Sequence, residues 1–459
     1  MRKNIRKRMY IAMAAAMMAT VMSACGNSDT SSKGAISETV SIVNTEESGT
    51  ADTGSENNTD GSNESTDSNS SSDAGSTDSS NEMFTDRDMN QSPDTSDAEK
   101  FTLSDGQDIN ITGEGTYIIS GSASDVTIYV EAGDEDKVQL VLDGAEITNE
   151  TMPCIYVKSA DKVFVTTSEA ESSLSVTGSF TADGDTNPDA VIFSKDDLVI
   201  NGQGTLNITS TDNAVACKDE IKVTGGTMNI ECTGDALEAH DAINIADGTI
   251  NITSCNDGLH AEDSDDNTIG SIYIGGGSIT IKANDDAIHG TTMVQIDGGD
   301  LDLTGGECIE GTYIKVNDGN INIQASDDGI NAAAKSDSYT PTYEMNGGNV
   351  TIVMGAGDTD GVDSNGDIYM NGGTLDISGQ STFDCDGNAE YNGGTIIENG
   401  NETNTITVQD FDGGMGPGMG GENADPGMGG GMRPGGRSGD RMGPGNMNPQ
   451  MENSEGTDM

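Results

Sequence analysis

The chain has 459 residues, contains no tryptophan and carries a formal net charge of −59 at pH 7. Such a charge repels nucleic acid and other polyanions unless cations lie between them, so we expect no nucleic-acid partner. Binding of any polyanion would need a metal bridge.

The N-terminus has the layout of an export signal. A positively charged segment over residues 2–8 precedes an apolar run over residues 9–21, which is too short to cross a membrane as a mature helix. Small residues then precede Cys25, as in a bacterial lipobox. We expect residues 1–24 to be a lipoprotein signal peptide and Cys25 to be lipidated, which would hold the protein at the extracellular face of the cell membrane. The alternative is an ordinary secretory signal with an incidental cysteine.

Two long segments have compositions typical of disorder. Residues 25–100 are rich in Ser, Thr, Asn and Asp, as in SNSSSDAGSTDSS, and have too little apolar surface to offset chain entropy. Residues 411–459 are rich in Gly, Met and Pro. We therefore expect a flexible linker, a folded domain over residues 101–410 and a disordered tail. Six cysteines lie in the predicted folded domain, and their spacing does not indicate which of them, if any, form disulfide bonds.

One sequence unit recurs along the second half of that domain. Glycine, preceded by Gly or Asp, is followed by alternating apolar residues in GGTMNI at 225, DGTINI at 247, GGSITI at 276, GGDLDL at 298, DGNINI at 318, GGNVTI at 347 and GGTLDI at 372. The longer steps contain the insertions EDSDDNTIG and AKSDSYTPT. Alternation and turn residues predict about three short strands in each unit.

A unit of about 22 residues with three short strands cannot close a hydrophobic core alone. Stacked as coils of a parallel β-helix, such units cover one another's interiors. We therefore predict an all-β fold, a parallel β-helix with coils of about 22 residues. Residues 101–200 would form its first coils and cap. A β-sandwich is the alternative, although a sandwich needs no fixed repeat.

An acidic residue recurs at one position of the unit: Asp235, Asp257, Asp286, Glu307, Asp328 and Asp360. Equivalent residues of stacked coils lie about 4.8 Å apart, so uncompensated carboxylates there repel one another. Calcium accepts carboxylate, amide and carbonyl oxygens, and we predict that it binds here. The predicted calcium ligands are Asp257, Asp285, Asp286, Asp327, Asp328, Asp358, Asp360 and Asp363. The alternative, which applies to the Asn-Gly and Asp-Gly pairs, is that these residues only favour turns.

A second column follows three positions after the first. Its ligand-binding candidates are Glu238, His260, His289, Glu310 and Asn331. Two histidines and carboxylates on one ladder could bind zinc, but the column has no fixed metal-ligand spacing. Solvated ladder residues or ligands for a sugar are the preferred interpretation.

Several segments together resemble a known family: GEGTYIISGSASDVTIYV, VQLVLDGAEITN, IYVKSADKVFVT, DDAIHG and DDGINA. The family comprises secreted lipoproteins with a calcium-binding, right-handed parallel β-helix, known as carbohydrate-binding domain proteins of anaerobic plant-fibre degraders. The resemblance covers residues 101–410. It implies a monomer that binds plant cell-wall polysaccharide, namely polygalacturonate (pectin) and possibly cellulose, with bound calcium. The low aromatic content favours ionic recognition of uronate over stacking on cellulose.

The family fold is similar to that of pectate lyases, which raises the question of catalysis. A lyase needs a base, commonly Arg or Lys, beside a calcium that acidifies the substrate proton. No arginine lies between Arg87 and Arg433, and the repeat region after Lys222 contains only Lys282, Lys315 and Lys335. Lys282 is the candidate base, because it lies just before NDDAIHG. An exposed strand lysine explains Lys282 equally simply, and a shared fold does not carry activity. Carbohydrate binding is therefore the preferred prediction. A calcium-dependent lyase and a cell-surface adhesin or scaffold are the alternatives.

Overall fold

The computed structural model describes residues 83–356 and 359–408, and it confirms the predicted all-β parallel β-helix. Each full coil contributes one strand to each of three parallel sheets, which we call sheets I, II and III in the order in which a coil follows them. The only antiparallel strand pair among the described residues is the last one, β33 with β34.

Sheet I consists of the C-terminal halves of β3 (Gly115–Ser124) and β5 (Lys137–Asn149), then β8 (Glu171–Val176), β11 (Thr205–Thr209), β14 (Thr227–Glu231), β17 (Thr249–Cys255), β20 (Ser278–Ala283), β22 (Asp300–Gly305), β24 (Asn320–Ala325), β27 (Asn349–Met354), β30 (Thr374–Ser378), β33 (Thr395–Glu398) and β34 (Asn401–Thr403). Sheet II consists of β2 (Ile109–Ile111), β4 (Ile128–Glu131), β6 (Ile155–Ser159), β9 (Ala190–Ser194), β12 (Asn213–Cys217), β15 (Leu237–Ala239), β18 (Leu259–Ala261), the N-terminal halves of β21 (Ile288–Ile296) and β23 (Ile309–Val316), β25 (Ile330–Ala332), β28 (Asp360–Ser364) and β31 (Ser381–Cys385). Sheet III consists of β1 (Glu99–Thr102), the N-terminal halves of β3 and β5, β7 (Lys162–Thr167), β10 (Asp197–Gly202), β13 (Glu220–Val223), β16 (Ala242–Ile245), β19 (Ser271–Ile274), the C-terminal halves of β21 and β23, β26 (Thr342–Met345), β29 (Asp367–Met370) and β32 (Ala389–Tyr391).

The core is a set of apolar stacks that run along the helix axis. In sheet II, Leu237, Leu259, Ile288, Ile309 and Ile330 lie in register on successive coils and are fully buried. Burial of one such side chain stabilises the fold by roughly 1.5–3 kcal/mol. The register also confirms the predicted coil length of about 22 residues and shows that the insertion after β18 lengthens its coil.

The recurring glycine marks the corner between sheets III and I, where the backbones of neighbouring coils come close together. Gly277 has a φ of 95°, in the left-handed region that side chains disfavour. A Cβ at this position would lie 2.7 Å from the carbonyl oxygen of Gly248 on the preceding coil. The repeat therefore keeps glycine here for both its conformation and its lack of a side chain.

Residues 83–98, which the composition assigns to the linker, pack against the coils instead. Asp88 is fully buried and lies 3.5 Å and 3.6 Å from the ammonium groups of Lys162 and Lys222. The guanidinium of Arg87 lies 4.5 Å from the centre of the Phe164 ring. The predicted linker boundary at residue 100 is therefore wrong, because the folded part includes residues 83–100. The predicted signal peptide, Cys25, the earlier part of the linker and the predicted tail over 411–459 lie outside the described residues.

Six cysteines lie in the described part of the chain, and all six are free thiols. Burial raises the pKa of the Cys154 thiol to about 12.

Among the described residues, no helix is long and apolar enough to cross a membrane.

Candidate metal and ligand site

The acidic residues of the first column lie at the corner between sheets I and II. Main-chain hydrogen bonds place them at equivalent positions of successive coils. The N–H of Ala236 donates to the carbonyl of Asp257 at 2.9 Å, and the N–H of Gly258 donates to that of Asp286 at 2.9 Å. The same pattern continues to Glu307, Asp328 and Asp360.

Several of these acids have a structural role of their own. One carboxylate oxygen of Asp235 accepts the N–H of Asp257 at 3.1 Å, and one of Asp257 accepts the N–H of Asp286 at 2.9 Å. Asp328 accepts the N–H of Asp360 in the same way at 2.9 Å. These side chains therefore tie one coil to the next, and each leaves its second carboxylate oxygen for another partner.

The second column aligns in the structure as its spacing predicts. Glu238, His260, His289, Glu310 and Asn331 lie in register on successive strands of sheet II, and Asp363 follows them. The column runs beside the first, so its side chains reach the free carboxylate oxygens of the acidic residues.

Two imidazoles lie between the acids of the earlier coils. His260 Nδ1 lies 2.8 Å from Asp235 Oδ2 and 3.3 Å from Asp257 Oδ2. His289 Nδ1 lies 2.9 Å from Asp286 Oδ2 and 2.8 Å from Glu310 Oε2. Each histidine therefore bridges two carboxylates through the same ring nitrogen.

These contacts shift the pKa values of His289 and Glu310. Burial acts to lower the pKa of His289, but the hydrogen bonds with Asp286 and Glu310 outweigh it and raise that pKa to about 10. Burial acts to raise the pKa of Glu310, but His289 and Lys335 hold it at about 2. Lys335 Nζ lies 2.8 Å from Glu310 Oε1. His289 and Lys335 therefore offset the charge of Glu310, whereas burial and the charges of Glu310 and Asp286 still raise the pKa of Glu307 to about 8.

The later coils differ, because their ligands are oxygen atoms alone. We call Asp328, Asn331, Asp360, Asp363 and Asp384 the all-oxygen cluster. Asn331, Asp363 and Asp384 are in register, and Asp360 binds Asp328 through its N–H. Asn331 Oδ1 is buried and accepts no hydrogen bond from the described residues.

Repulsion between neighbouring carboxylates raises pKa values within the all-oxygen cluster. Burial, followed by the charges of Asp328, Asp384 and Asp360, raises the pKa of Asp363 to about 7. Burial also raises the pKa of Asp328 to about 6, with further contributions from neighbouring aspartates. A cation would remove this repulsion, since hard oxygen ligands of this kind suit calcium.

The structure brings together only part of the predicted ligand set. Asp285 and Asp327 are exposed in turns. Glu238 is engaged by Lys218 at 3.4 Å and by Asn213 Nδ2 at 2.6 Å. Asp358 lies outside the described residues. Among the described residues, three sets of ligand atoms lie within 4.8 Å of one another, and none of them contains a residue of the all-oxygen cluster. The sets are Asp235, Asp257 and His260; Asp286, His289 and Glu310; and His260, Glu262 and His289.

Lys282, the candidate lyase base, is exposed near the end of β20 in sheet I, in register with Thr304. It therefore lies on the strand that leads into the turn of Asp285 and Asp286.

Glu262, Lys335 and Asp384 are the site residues that the repeat pattern did not reveal. Glu262 opens the insertion EDSDDNTIG, which aligns with no other coil. Glu262 could have been found from its local position. His260 and Glu262 are two residues apart on an extended segment, so their side chains point to the same side. Lys335 likewise comes from the second insertion, which the repeat leaves unaligned.

A shallow groove of about 630 Å³ lies at a different corner, along the glycines between sheets III and I. Its lining includes Gly226, Gly248, Gly277 and Gly299. Both columns are therefore outside it.

Comparisons with known proteins identify a matching family, a related sequence and a similar solved structure. Residues 105–355 match the family described as carbohydrate-binding domain-containing protein. A protein of Acetivibrio thermocellus with the same description is 34% identical over 123 residues, which are 26% of this chain and 43% of that protein. A solved polysaccharide lyase-like protein from C. thermocellum, a gadolinium derivative, is 30% identical with a TM-score of 0.43, covering 49% of this chain and 96% of that one. Since the family match spans more than half of its length, the chain belongs to the carbohydrate-binding domain-containing protein family.

Proposed function

We propose that this protein is a cell-surface lipoprotein, anchored through Cys25, that binds plant cell-wall polysaccharide, above all polygalacturonate, through calcium at the all-oxygen cluster. The family description supports a carbohydrate ligand. The observation that carries the proposal is the all-oxygen cluster itself, in which burial and the charges of neighbouring aspartates raise the pKa values of Asp328 and Asp363.

The residues of the cluster fit calcium better than other cations. Asp328, Asp360 and Asp363 offer carboxylate oxygens, and Asn331 offers a buried amide oxygen that has no donor. Calcium takes about six to eight oxygen ligands in flexible geometry, so these side chains would leave positions for oxygens of a bound ligand. The ion would supply positive charge between the protein's carboxylates and those of the glycan.

Charge also favours an acidic glycan over a neutral one. A chain at −59 repels uronate polymers unless divalent cations intervene, so binding should depend on the cation. Flat cellulose is commonly recognised by aromatic stacking, whereas this chain has no tryptophan. Polygalacturonate is therefore the preferred ligand, with cellulose as the weaker one.

The full chain should be retained on immobilised polygalacturonate with calcium and released by a chelator. The double variant Asp328→Asn, Asp363→Asn should lose retention by about tenfold or more, because it removes two charged ligands from one cluster. The measurement is the dissociation constant from affinity electrophoresis or calorimetry, at matched ionic strength.

Asp376→Asn provides the control, since Asp376 lies on β30 in sheet I of a neighbouring coil. It changes net charge without touching the cluster and should leave retention unchanged. Retention that survives chelation would show that calcium does not bridge protein and glycan. Absence of retention with and without calcium would remove polygalacturonate as the ligand.

A further inference from the structure

We infer that His260, Glu262 and His289 form a second metal site, which binds a divalent transition metal of the zinc type and is separate from the calcium cluster. It uses the ring nitrogens that face away from the acidic column.

The fold places the two histidines side by side. His260 on β18 and His289 on β21 are register partners on adjacent coils, and their ring centres are 4.8 Å apart. Glu262 follows β18 on the same coil as His260. The three side chains therefore meet beside β18 and the first residues of β21 in sheet II.

The neighbouring carboxylates determine which nitrogen of the His260 and His289 rings is free to bind a metal. The Nδ1 atoms of His260 and His289 lie 2.8–2.9 Å from Asp235 and Asp286 respectively, so each Nδ1 carries a hydrogen that it donates. This leaves Nε2 of each ring as the atom that can bind a metal. Binding releases any proton on Nε2, and the ion supplies positive charge in its place. A carboxylate that accepts the Nδ1 hydrogen orients the ring and makes Nε2 a better ligand, as in many zinc sites.

The two Nε2 atoms converge on one carboxylate oxygen. Oε2 of Glu262 lies 3.3 Å from His260 Nε2 and 3.6 Å from His289 Nε2. One ligand atom from each of the three residues lies within 4.8 Å of the other two. Ligands about 2.0–2.2 Å from a tetrahedral zinc ion are separated from each other by roughly 3.3–3.5 Å. The observed separations are therefore close to those that a bound ion requires.

A buried, unpartnered atom points into the same space. His289 is 7% exposed, and its Nε2 makes no hydrogen bond among the described residues. A buried polar atom without a partner destabilises the fold, so the fold gains stability if a ligand engages this atom. A metal ion at the convergence point would do so.

The donor set selects the class of metal. Two imidazoles and one carboxylate suit zinc and related divalent ions, whereas calcium prefers oxygen alone. Three protein ligands leave a fourth position for water or for an oxygen of another molecule. The Glu262 side chain is 45% exposed, so this position can be reached from solvent.

The test uses the metal-stripped full chain in excess calcium, which occupies the oxygen sites. Titration with Zn²⁺ by calorimetry should show binding that calcium does not displace, and Co²⁺ should give the visible absorption of a tetrahedral imidazole site. Glu262→Ala, which changes an exposed side chain, should weaken Zn²⁺ binding by at least about tenfold. His289→Ala should abolish it.

The matched control is His240→Ala. His240 is the chain's third histidine, and its Nδ1 pairs with Asp263 at 3.3 Å outside the three-residue set. This variant should bind Zn²⁺ as the wild type does. The inference is overturned if calcium displaces all bound Zn²⁺, or if Glu262→Ala and His240→Ala bind it equally well. Circular dichroism of each variant separates loss of the site from loss of the fold.

Discussion

Asp88→Ala is expected to detach residues 83–98 from the coils and to lower the free energy of unfolding by up to about 3–5 kcal/mol. The carboxylate is fully buried between Lys162 and Lys222, whose side chains are only 12% and 8% exposed. Removal of the acid leaves two buried ammonium groups without this partner. The cost is limited by detachment of the segment, which lets water reach both lysines.

Hydrogen bonds around Asp88 support a tightly held segment. Its carboxylate accepts the N–H of Thr85 at 2.9 Å, and its carbonyl accepts Asn201 Nδ2 at 3.0 Å. Burial acts to raise the pKa of Asp88, but the Thr85 N–H and the two lysines outweigh it and lower that pKa. The folded state therefore favours the charged form, and the acid stabilises the docked segment.

Two measurements check the Asp88 variant. The urea midpoint should fall, and limited proteolysis should cut N-terminal to β1 much faster than in the wild type. Asp86→Ala is the control, because Asp86 is exposed on the same segment and its loss should leave both readouts nearly unchanged. Equal behaviour of the two variants would show that Asp88 does not hold the segment.

The fold could be predicted because each sequence repeat corresponds to one coil of the β-helix. Period-two alternation within strands and glycine at each corner fix the strand positions and the coil length. The stacking register then follows, since the burial of Leu259, Ile288 and Ile309 allows only one alignment of neighbouring coils. A one-residue slip would turn these side chains to solvent.

For the candidate site, the sequence predicted which residues align on successive coils, but not which atoms contact one another. Repeat spacing aligns His260 with His289, and that alignment is found in the structure. It does not reveal which ring nitrogen is occupied, because this depends on the free oxygens of Asp235 and Asp286. Glu262 was missed because an insertion has no counterpart in the other coils.

The linker boundary was misplaced for a different reason. Residues 83–98 have the polar composition of a disordered segment, and composition carries no information about one buried ion pair. Docking depends on Asp88 meeting two lysines from coils that lie far along the sequence. Contacts of this kind are tertiary and leave no periodic signal.

Ile288→Ala is expected to lower the free energy of unfolding by about 2–5 kcal/mol. Ile288 is fully buried between Leu259 and Ile309 of the adjacent coils, so the truncation opens a cavity that rigid sheets on both sides cannot close. Ile288→Val should cost only about 0.5–1.5 kcal/mol, since it removes one methylene group.

The control for Ile288→Ala is Val353→Ala. Val353 lies on β27 and is 49% exposed, so its truncation removes little buried surface and should barely move the urea midpoint. Equilibrium urea unfolding of the three variants measures the difference. If Ile288→Ala were no worse than Val353→Ala, the stacked interior would not be what stabilises the coils.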